Sequence, residues 1–461
     1  MATYQDAVAQ GALVAKGEVT ALELAEATIA RIEAVNPKIN AVVAKDYDRA
    51  RARAKGPLPK GPLSGVPYLL KDIENYAGMN ATMGSRLLAT NLVQETAPVP
   101  QRAIDAGMVV LGKTNTPEFG LLGTTEGLLL GACHNPWNLD HSSGGSSGGA
   151  AAAVAAGILP VANASDGGGS IRIPASCCGL FGLKPSRGRM NVGPTPLAAD
   201  IAVVSSVSRT VRDGAMIVAV SEEKGKDAPF APIGFVSGPS SKRLKIAFNT
   251  LRADGTEPDA DVKASIEATA KLCADLGHEI VPVKNPMVGD EFINTFLTIW
   301  ASSPADLVAM AKGMNLKPED VLEPWTIGLA NLFNAKPKDS LQKALIYFDK
   351  VEKQIADFFG NYDAWLTPVL SAPAPRLGQQ APTVDFDTLY KRTTDYVAYT
   401  PVHNVAGTPA MSVPLGMSKS GLPIGSQFAA AKGQDGLLLA LAYELEAAAP
   451  WIDRHPPVYV G

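Results

Sequence analysis

Residues 141–157 read HSSGGSSGGAAAAVAAG. A Gly/Ser run is the composition of a flexible linker. The residues after it argue against slack. AAAAVAAG is a strong helix former, because alanine loses little side-chain freedom in a helix. A Gly/Ser loop that opens directly into such a helix is an ordered N-terminus, whose first N–H groups have no partner inside the helix and point at the loop. The run therefore reads as a junction within one continuous fold.

The flanking patterns agree. Ala7, Leu13, Val14, Leu22, Leu24, Ile29, Ile32 and Val35 recur at helical spacing, and Thr20 with Glu23 makes a capping box. Two helices are predicted here, the second ending before Asn36-Pro37. PLSGVPYLLKDI (62–73) predicts a turn and a short buried strand, residues 100–106 a helix stopped by Gly107, and MVVL (108–111) a strand. LKIAFN, a helix over about 258–276 and HEIVPV repeat the alternation. Residues 222–243 predict a surface loop, and residues 290–360 are mainly helical by pattern. This rhythm is that of an α/β protein with helices packed on a mostly parallel or mixed sheet.

Composition narrows the class. The 461 residues are 46% hydrophobic and 19% charged, which fits a globular protein with a large core. The net charge is −4 and no basic block stands out, so nucleic acid is not an expected partner. Cys133, Cys177, Cys178 and Cys273 contain no CxxC pair, which removes the usual zinc and thioredoxin readings. No HExxH or histidine cluster offers metal-ligand spacing. MATYQDAVAQGALVAKGEVT lacks a basic flank followed by an apolar stretch, so no secretory signal is expected. GGAAAAVAAGILPVANA is interrupted by Gly157 and Pro160 and is too short to span a bilayer. The expectation is a cytoplasmic enzyme.

Two motifs tempt. GMVVLGKT, beginning at Gly107 and ending at Thr114, spells the phosphate-loop pattern. Its middle residues Met108, Val109, Val110 and Leu111 favour a buried strand over a curled loop, so Lys113 reads as a structural strand-end residue. Gly144, Ser146 and Gly148 fit GxSxG, the nucleophile elbow of an α/β-hydrolase esterase. That elbow needs a strand before it, and CHNPWNLDHSS (133–143) is polar and turn-rich. It also needs a histidine base, for which His403 is the least unsuitable of His134, His141, His278, His403 and His455. The two SxxK runs, Ser221 to Lys224 and Ser340 to Lys343, lie among charges and read as solvated faces.

Three stretches survive together. In GVPYLLKD (65–72), Lys71 ends an apolar run. Burial disfavours its ammonium form, and a neutral lysine is a general base. Pairing with neighbouring Asp72 at the surface is the plainer alternative. GGSSGG (144–149) supplies backbone freedom and room for close approach. In SDGGGSIRIPASCCGLFGLKPSRGR (165–189), Gly167, Gly168 and Gly169 line up N–H groups beside the Ser170 hydroxyl. They form either a plain turn or an oxyanion hole beside a nucleophile. Asp166 and Arg172 read as an ion pair that holds the loop.

These pieces, with AGMVVLGKTNTPEFG (106–120), NPWN (135–138) and NVAGTPAMSVPLGMSKSGLPIGSQF (404–428), resemble the amidase signature family over about residues 5–213 and 395–460. The resemblance implies an α/β amidase-signature fold, a large twisted mixed central sheet covered on both faces by helices. It implies a single domain over residues 1–461, with a core of about 1–213 and 395–461 and variable substrate-channel segments over about 214–394. It also implies Ser170 as nucleophile, Ser146 as the cis-peptide bridging serine and Lys71 as base. The N–H groups of Gly167, Gly168, Gly169 and Ser170 would form the oxyanion hole. Ser147 would buttress the triad, and Asp166 and Arg172 would order the loop. No cofactor and no metal are implied.

This sequence departs from the common pattern at Ser143, where proline often stands. It departs again at Gly167, where threonine or isoleucine is common. The glycine is expected to enlarge or loosen the acyl pocket.

LEAAAPWIDRHPPV (445–458) and PYLLKD (67–72) resemble the branch containing 6-aminohexanoate cyclic-dimer hydrolases and environmental urethanases. The expected activity is hydrolysis of small-molecule amides, anilides and carbamates by a monomer or homodimer. Substrate contacts are expected mainly from 190–235 and 285–395, where FLTIWASSP (296–304) and WLTPVLSAPAP (365–375) are apolar enough to line a channel.

Overall fold

The computed structural model describes residues 5–193, 197–287 and 289–460. The readings of the first residues and of 190–235 run over 1–4 and 194–196, which lie outside the described residues.

An eight-stranded mixed sheet forms the centre. Its order is Glu279–Pro282, Lys245–Phe248, Ala364–Pro368, Pro423–Ala429, Ala410–Met417, Phe181–Lys184, Val203–Ser208 and Val161–Asp166. Lys245–Phe248 runs parallel to both its neighbours, and the remaining pairs are antiparallel. Side chains alternate across a strand, and the two faces bury different helices. Ile246, Ala364, Leu366, Met411, Val413 and Phe428 pack with the helices Val211–Ser221, Ala260–Asp275 and Asp435–Ala448. Ala247, Trp365, Ala410 and Ala429 pack with Glu291–Trp300 and Ser340–Phe359 on the other side. The expected mixed sheet between helical layers is present. Three of its strands, Lys245–Phe248, Glu279–Pro282 and Ala364–Pro368, come from the segment 214–394.

A second sheet joins Val42–Lys45, Val109–Thr114 and Pro67–Lys71. The Lys71 N–H donates to Asn163 Oδ1 at 3.1 Å, tying this sheet to the last strand of the large one. The helix Gly148–Ala155 is buried at every residue. Its alanines let neighbouring strands approach from all sides, and a helix without a polar face belongs in a core.

Two local expectations need correction. The helix Ala21–Ile39 continues through Asn36-Pro37 and ends at Asn40, whose φ is +49°. Pro37 sits in the last turn, and Asn36 Oδ1 accepts the N–H groups of Ala41 and Val42 just beyond, so the exit is satisfied without stopping at proline. A strand does precede the GGSSGG loop: Asn138–Ser142 pairs with His134–Asn135. It is held by polar ties, Asn135 Nδ2 to the Ser142 carbonyl and the Ser142 N–H to Pro375, so no apolar alternation announces it. The expected surface loop over 222–243 is present, exposed or half-buried except at Glu222, whose carboxylate accepts the N–H groups of Ile233 and Gly234.

Candidate active site

The strand Pro67–Lys71 is buried along its whole length and carries Lys71 into the protein. Lys71 Nζ lies 2.7 Å from Ser146 Oγ and 3.0 Å from Ser165 Oγ. The neighbouring Asp72 is not its partner, because Asp72 pairs with Lys113 at 3.3 Å. Burial therefore pushes the Lys71 amine down to about 7, against the opposing pull of Glu74 and Asp166.

Ser146 comes from the loop between Asn138–Ser142 and Gly148–Ala155, and its peptide bond with Gly145 is cis. A Cβ on Gly145 would stand 2.6 Å from the Thr124 carbonyl oxygen, so glycine is what lets the loop lie this close. Ser147 Oγ donates to the Ser165 carbonyl and accepts the Ser165 N–H, both at 3.3 Å. Ser165 thus touches both Lys71 and Ser147, a role that the sequence motifs do not mark. A signal was there: Asn163 and Ser165 fall at alternate positions of the strand Val161–Asp166, whose residues before Asp166 are otherwise alanine and valine, and both contact Lys71.

Ser170 sits in the turn between Val161–Asp166 and the helix Arg172–Cys178, and it opens onto an apolar cavity. No hydrogen bond joins Ser146 to Ser170.

Below the turn lies a fully buried ion pair. Asp166 takes two bonds from Arg172, at 3.0 and 2.9 Å, and Arg172 also donates to the Thr400 carbonyl, Gln427 and Asn404. Burial alone would raise the Asp166 carboxyl, but Arg172, with Lys184 and Asn404, outweighs it and holds it well below the usual range.

Two expectations change at this turn. The Gly169 N–H donates to Asp166 Oδ1 at 2.7 Å, so it faces the ion pair and is withdrawn from the set of free donors. Among the described residues, no acceptor takes the N–H groups of Gly167, Gly168 or Ser170. Gly167 does not enlarge the pocket either. A Cβ there would meet Trp300 Cζ3 at 3.2 Å, so an indole already fills that space.

The competing motifs find no support. Every residue of Val109–Thr114 is buried in strand, and Lys113 Nζ is spent on the Asn80 carbonyl at 2.7 Å and on Asp72. No histidine bonds to Ser146 or Ser170. His403 is buried against Trp365 and pairs with Thr408. The strand before GxSxG belongs to a two-stranded ribbon and not to the central sheet. Among the described residues, no group of three or more His, Cys, Asp or Glu could hold a metal ion.

The amidase family profile matches residues 23–439. The chain belongs to the amidase signature family. This amidase is 36% identical over 482 aligned positions to the 6-aminohexanoate-cyclic-dimer hydrolase of Pseudomonas sp. strain NK87, covering 98% of this chain and 96% of that protein. It is 32% identical to the acylamidase of Rhodococcus erythropolis, covering 98% and 97%. A solved 6-aminohexanoate cyclic dimer hydrolase in complex with substrate superposes with a TM-score of 0.91 at 33% identity over all of both chains. The amidase is therefore a hydrolase of this family with its α/β fold. No helix among the described residues is long and apolar enough to cross a membrane.

Proposed function

We propose that this amidase cleaves C–N bonds of amides, anilides and carbamates through an acyl-enzyme on Ser170. The observation that carries the proposal is Lys71: a fully buried lysine that makes no ion pair among the described residues, 2.7 Å from Ser146 Oγ, with a pKa near 7. Neutral Lys71 accepts the proton of Ser146, and Ser146 accepts that of Ser170. Ser170 Oγ attacks the carbonyl carbon, and the oxyanion forms against the N–H groups of Gly167, Gly168 and Ser170. The proton returns through Ser146 to the leaving nitrogen as the C–N bond breaks. Water then attacks the acyl-enzyme by the same relay. Ser147 steadies this arrangement through Ser165, and the Asp166–Arg172 pair holds the turn.

The named activities of the relatives, on a cyclic amide dimer and as an acylamidase, support amide cleavage. A carbamate presents the same carbonyl and nitrogen leaving group. The chain acts as one domain, residues 1–461, with its core at about 1–213 and 395–461 and substrate contacts drawn from within 214–394. It works in the cytoplasm as a monomer or homodimer on small molecules, without nucleic acid. Its four free cysteines fit a reducing compartment, and its net charge of −4 fits the absence of a polyanionic partner.

Assays of wild type and Ser170→Ala on p-nitroanilide, aliphatic amide and aryl carbamate substrates test this. Turnover abolished by the substitution, with fluorophosphonate labelling on Ser170, supports it. Labelling on Ser146, or activity retained in Ser170→Ala, overturns it.

A further inference from the structure

The cavity beside Ser170 has a wall built from one helix, through Ile293, Phe296, Leu297 and Trp300. Phe292, Phe296 and Trp300 succeed one another at four-residue spacing on Glu291–Trp300, so they share a face. Their rings stack, with centroids 6.3 and 5.4 Å apart and planes within 24° and 23°. Phe296 and Trp300 press directly on the glycine turn. A Cβ on Gly168 would meet Phe296 Cζ at 3.1 Å, and one on Gly167 would meet Trp300 Cζ3 at 3.2 Å. The indole N–H of Trp300 donates to the Leu121 carbonyl at 3.4 Å, and that of Trp325 to the same oxygen at 3.3 Å. Both indoles are thereby fixed, with their polar edges turned to Leu121.

We propose that Trp300 sets the acyl specificity of the reaction, by standing over the glycine turn in the space of a residue-167 side chain and restricting the site to short, uncharged acyl groups. This rests on Ser170 as the nucleophile. The remaining walls, among them Leu121, Leu122, Ile173 and Val397, carry no charge. A carboxylate on the acyl chain would lose its hydration there and meet no cation in return, only the hydroxyls of Thr393 and Thr394 besides Ser170. The cavity is open on one side and holds about 60 Å³ between its walls, well below the roughly 150 Å³ that admits benzene to an apolar cavity. An acyl chain that grows toward Trp300 has to displace the indole.

The test holds the leaving group constant as p-nitroaniline and varies the acyl group through acetyl, butyryl, hexanoyl and succinyl. Wild type should favour acetyl and reject succinyl. Trp300→Ala should change the hexanoyl-to-acetyl ratio of kcat/KM by about tenfold or more in favour of hexanoyl, the range that small pocket changes produce. Trp300→Phe should shift it less in the same direction, and its ring keeps the helix packed should the alanine variant unfold. Gly167→Ala has no positive φ to contend with, so its effect reads the crowding alone. It should lower activity on every acyl group, and the loss should vanish in the Gly167→Ala/Trp300→Ala double variant.

An unchanged acyl ratio in both Trp300 variants overturns the proposal. So does a double variant whose loss is the product of the two single losses. A shift seen only in a series that varies the amine would move Trp300 to the leaving-group side and overturns it as well. Ser170→Ala, assayed alongside, separates this failure from failure of the nucleophile assignment, which retained activity would reveal.

Discussion

Asp72 pairs with Lys113, on the strand beside Pro67–Lys71, and forms no ion pair with its chain neighbour Lys71. Strand alternation sends adjacent side chains to opposite faces, so Lys71 and Asp72 part company at the end of Pro67–Lys71. One buried lysine is neutralised by an ion pair. The other keeps only hydroxyl partners, and its pKa is held near 7.

Lys113 is therefore a structural cation. Lys113→Met leaves the buried Asp72 carboxylate unpaired, and breaking a buried pair in this way costs about 3–5 kcal/mol. Urea denaturation should register that loss. An unchanged unfolding midpoint would remove the structural role.

The rate should rise with pH as Lys71 loses its proton. Burial has lowered its pKa to about 7, so kcat/KM on a neutral anilide should climb through that region and level off above it. A profile that stays flat between about pH 5 and 8 would exclude Lys71 as the base.

Ser146 and Ser165 both bond to Lys71 Nζ, and the proposed relay to Ser170 runs through Ser146 alone. Ser146→Ala should cost about a thousandfold or more in kcat, as relay members do. Ser165→Ala removes one supporting hydrogen bond, worth about 1 kcal/mol or roughly fivefold in rate. Steady-state kinetics giving equal losses for the two would put Ser165 in the relay.

Asp166→Asn should destabilise the fold by about 3–5 kcal/mol, because the fully buried Arg172 loses its charged partner. The Gly169 N–H also loses its carboxylate acceptor. Thermal and chemical unfolding, tracked alongside activity, should show both falling together. Full activity with a lowered melting point would detach the ion pair from the turn it underlies.

Glu323 offers a pH test of stability. Its carboxyl is pushed up to about 8, first by burial and then by Glu118. A raised folded pKa favours the folded state below the unfolded value, and that advantage is lost as pH rises through the folded one. Glu323→Gln should therefore melt like wild type near pH 5 and above it near pH 9, with its side-chain oxygen still available to the Leu128 N–H. Equal melting points at both pH values would place the Glu323 carboxyl in the ordinary range.

Much of this was legible in order along the chain. The capping box at Thr20 and Glu23 forms as spelled, and apolar strands stand at 67–71 and 109–114, the second running three residues past the MVVL that announced it. Polar local structure was not legible in the same way. The strand Asn138–Ser142 is held by bonds to Pro375 and Asn135, and the Ala21–Ile39 helix absorbs a proline through Asn36. Neither leaves a periodic trace. FLTIWASSP does supply Phe296, Leu297 and Trp300 to the cavity, whereas WLTPVLSAPAP contributes nothing to its walls. Among the described residues, neither does 190–235.

The sequence by itself determined the alternating α/β elements, the family, and the short list on which Lys71, Ser146 and Ser170 stand. Those are consequences of propensity, period and motif, which act locally. Tertiary structure alone decided who partners whom: Asp72 with Lys113, Ser165 with Lys71, the Gly169 N–H with Asp166, and Trp300 with the open side of Gly167. All but the Gly169–Asp166 contact, which closes a single turn, bring together groups from different segments. Each pairing is set by which buried polar groups find a partner once the sheets close, and no spacing along the chain encodes that.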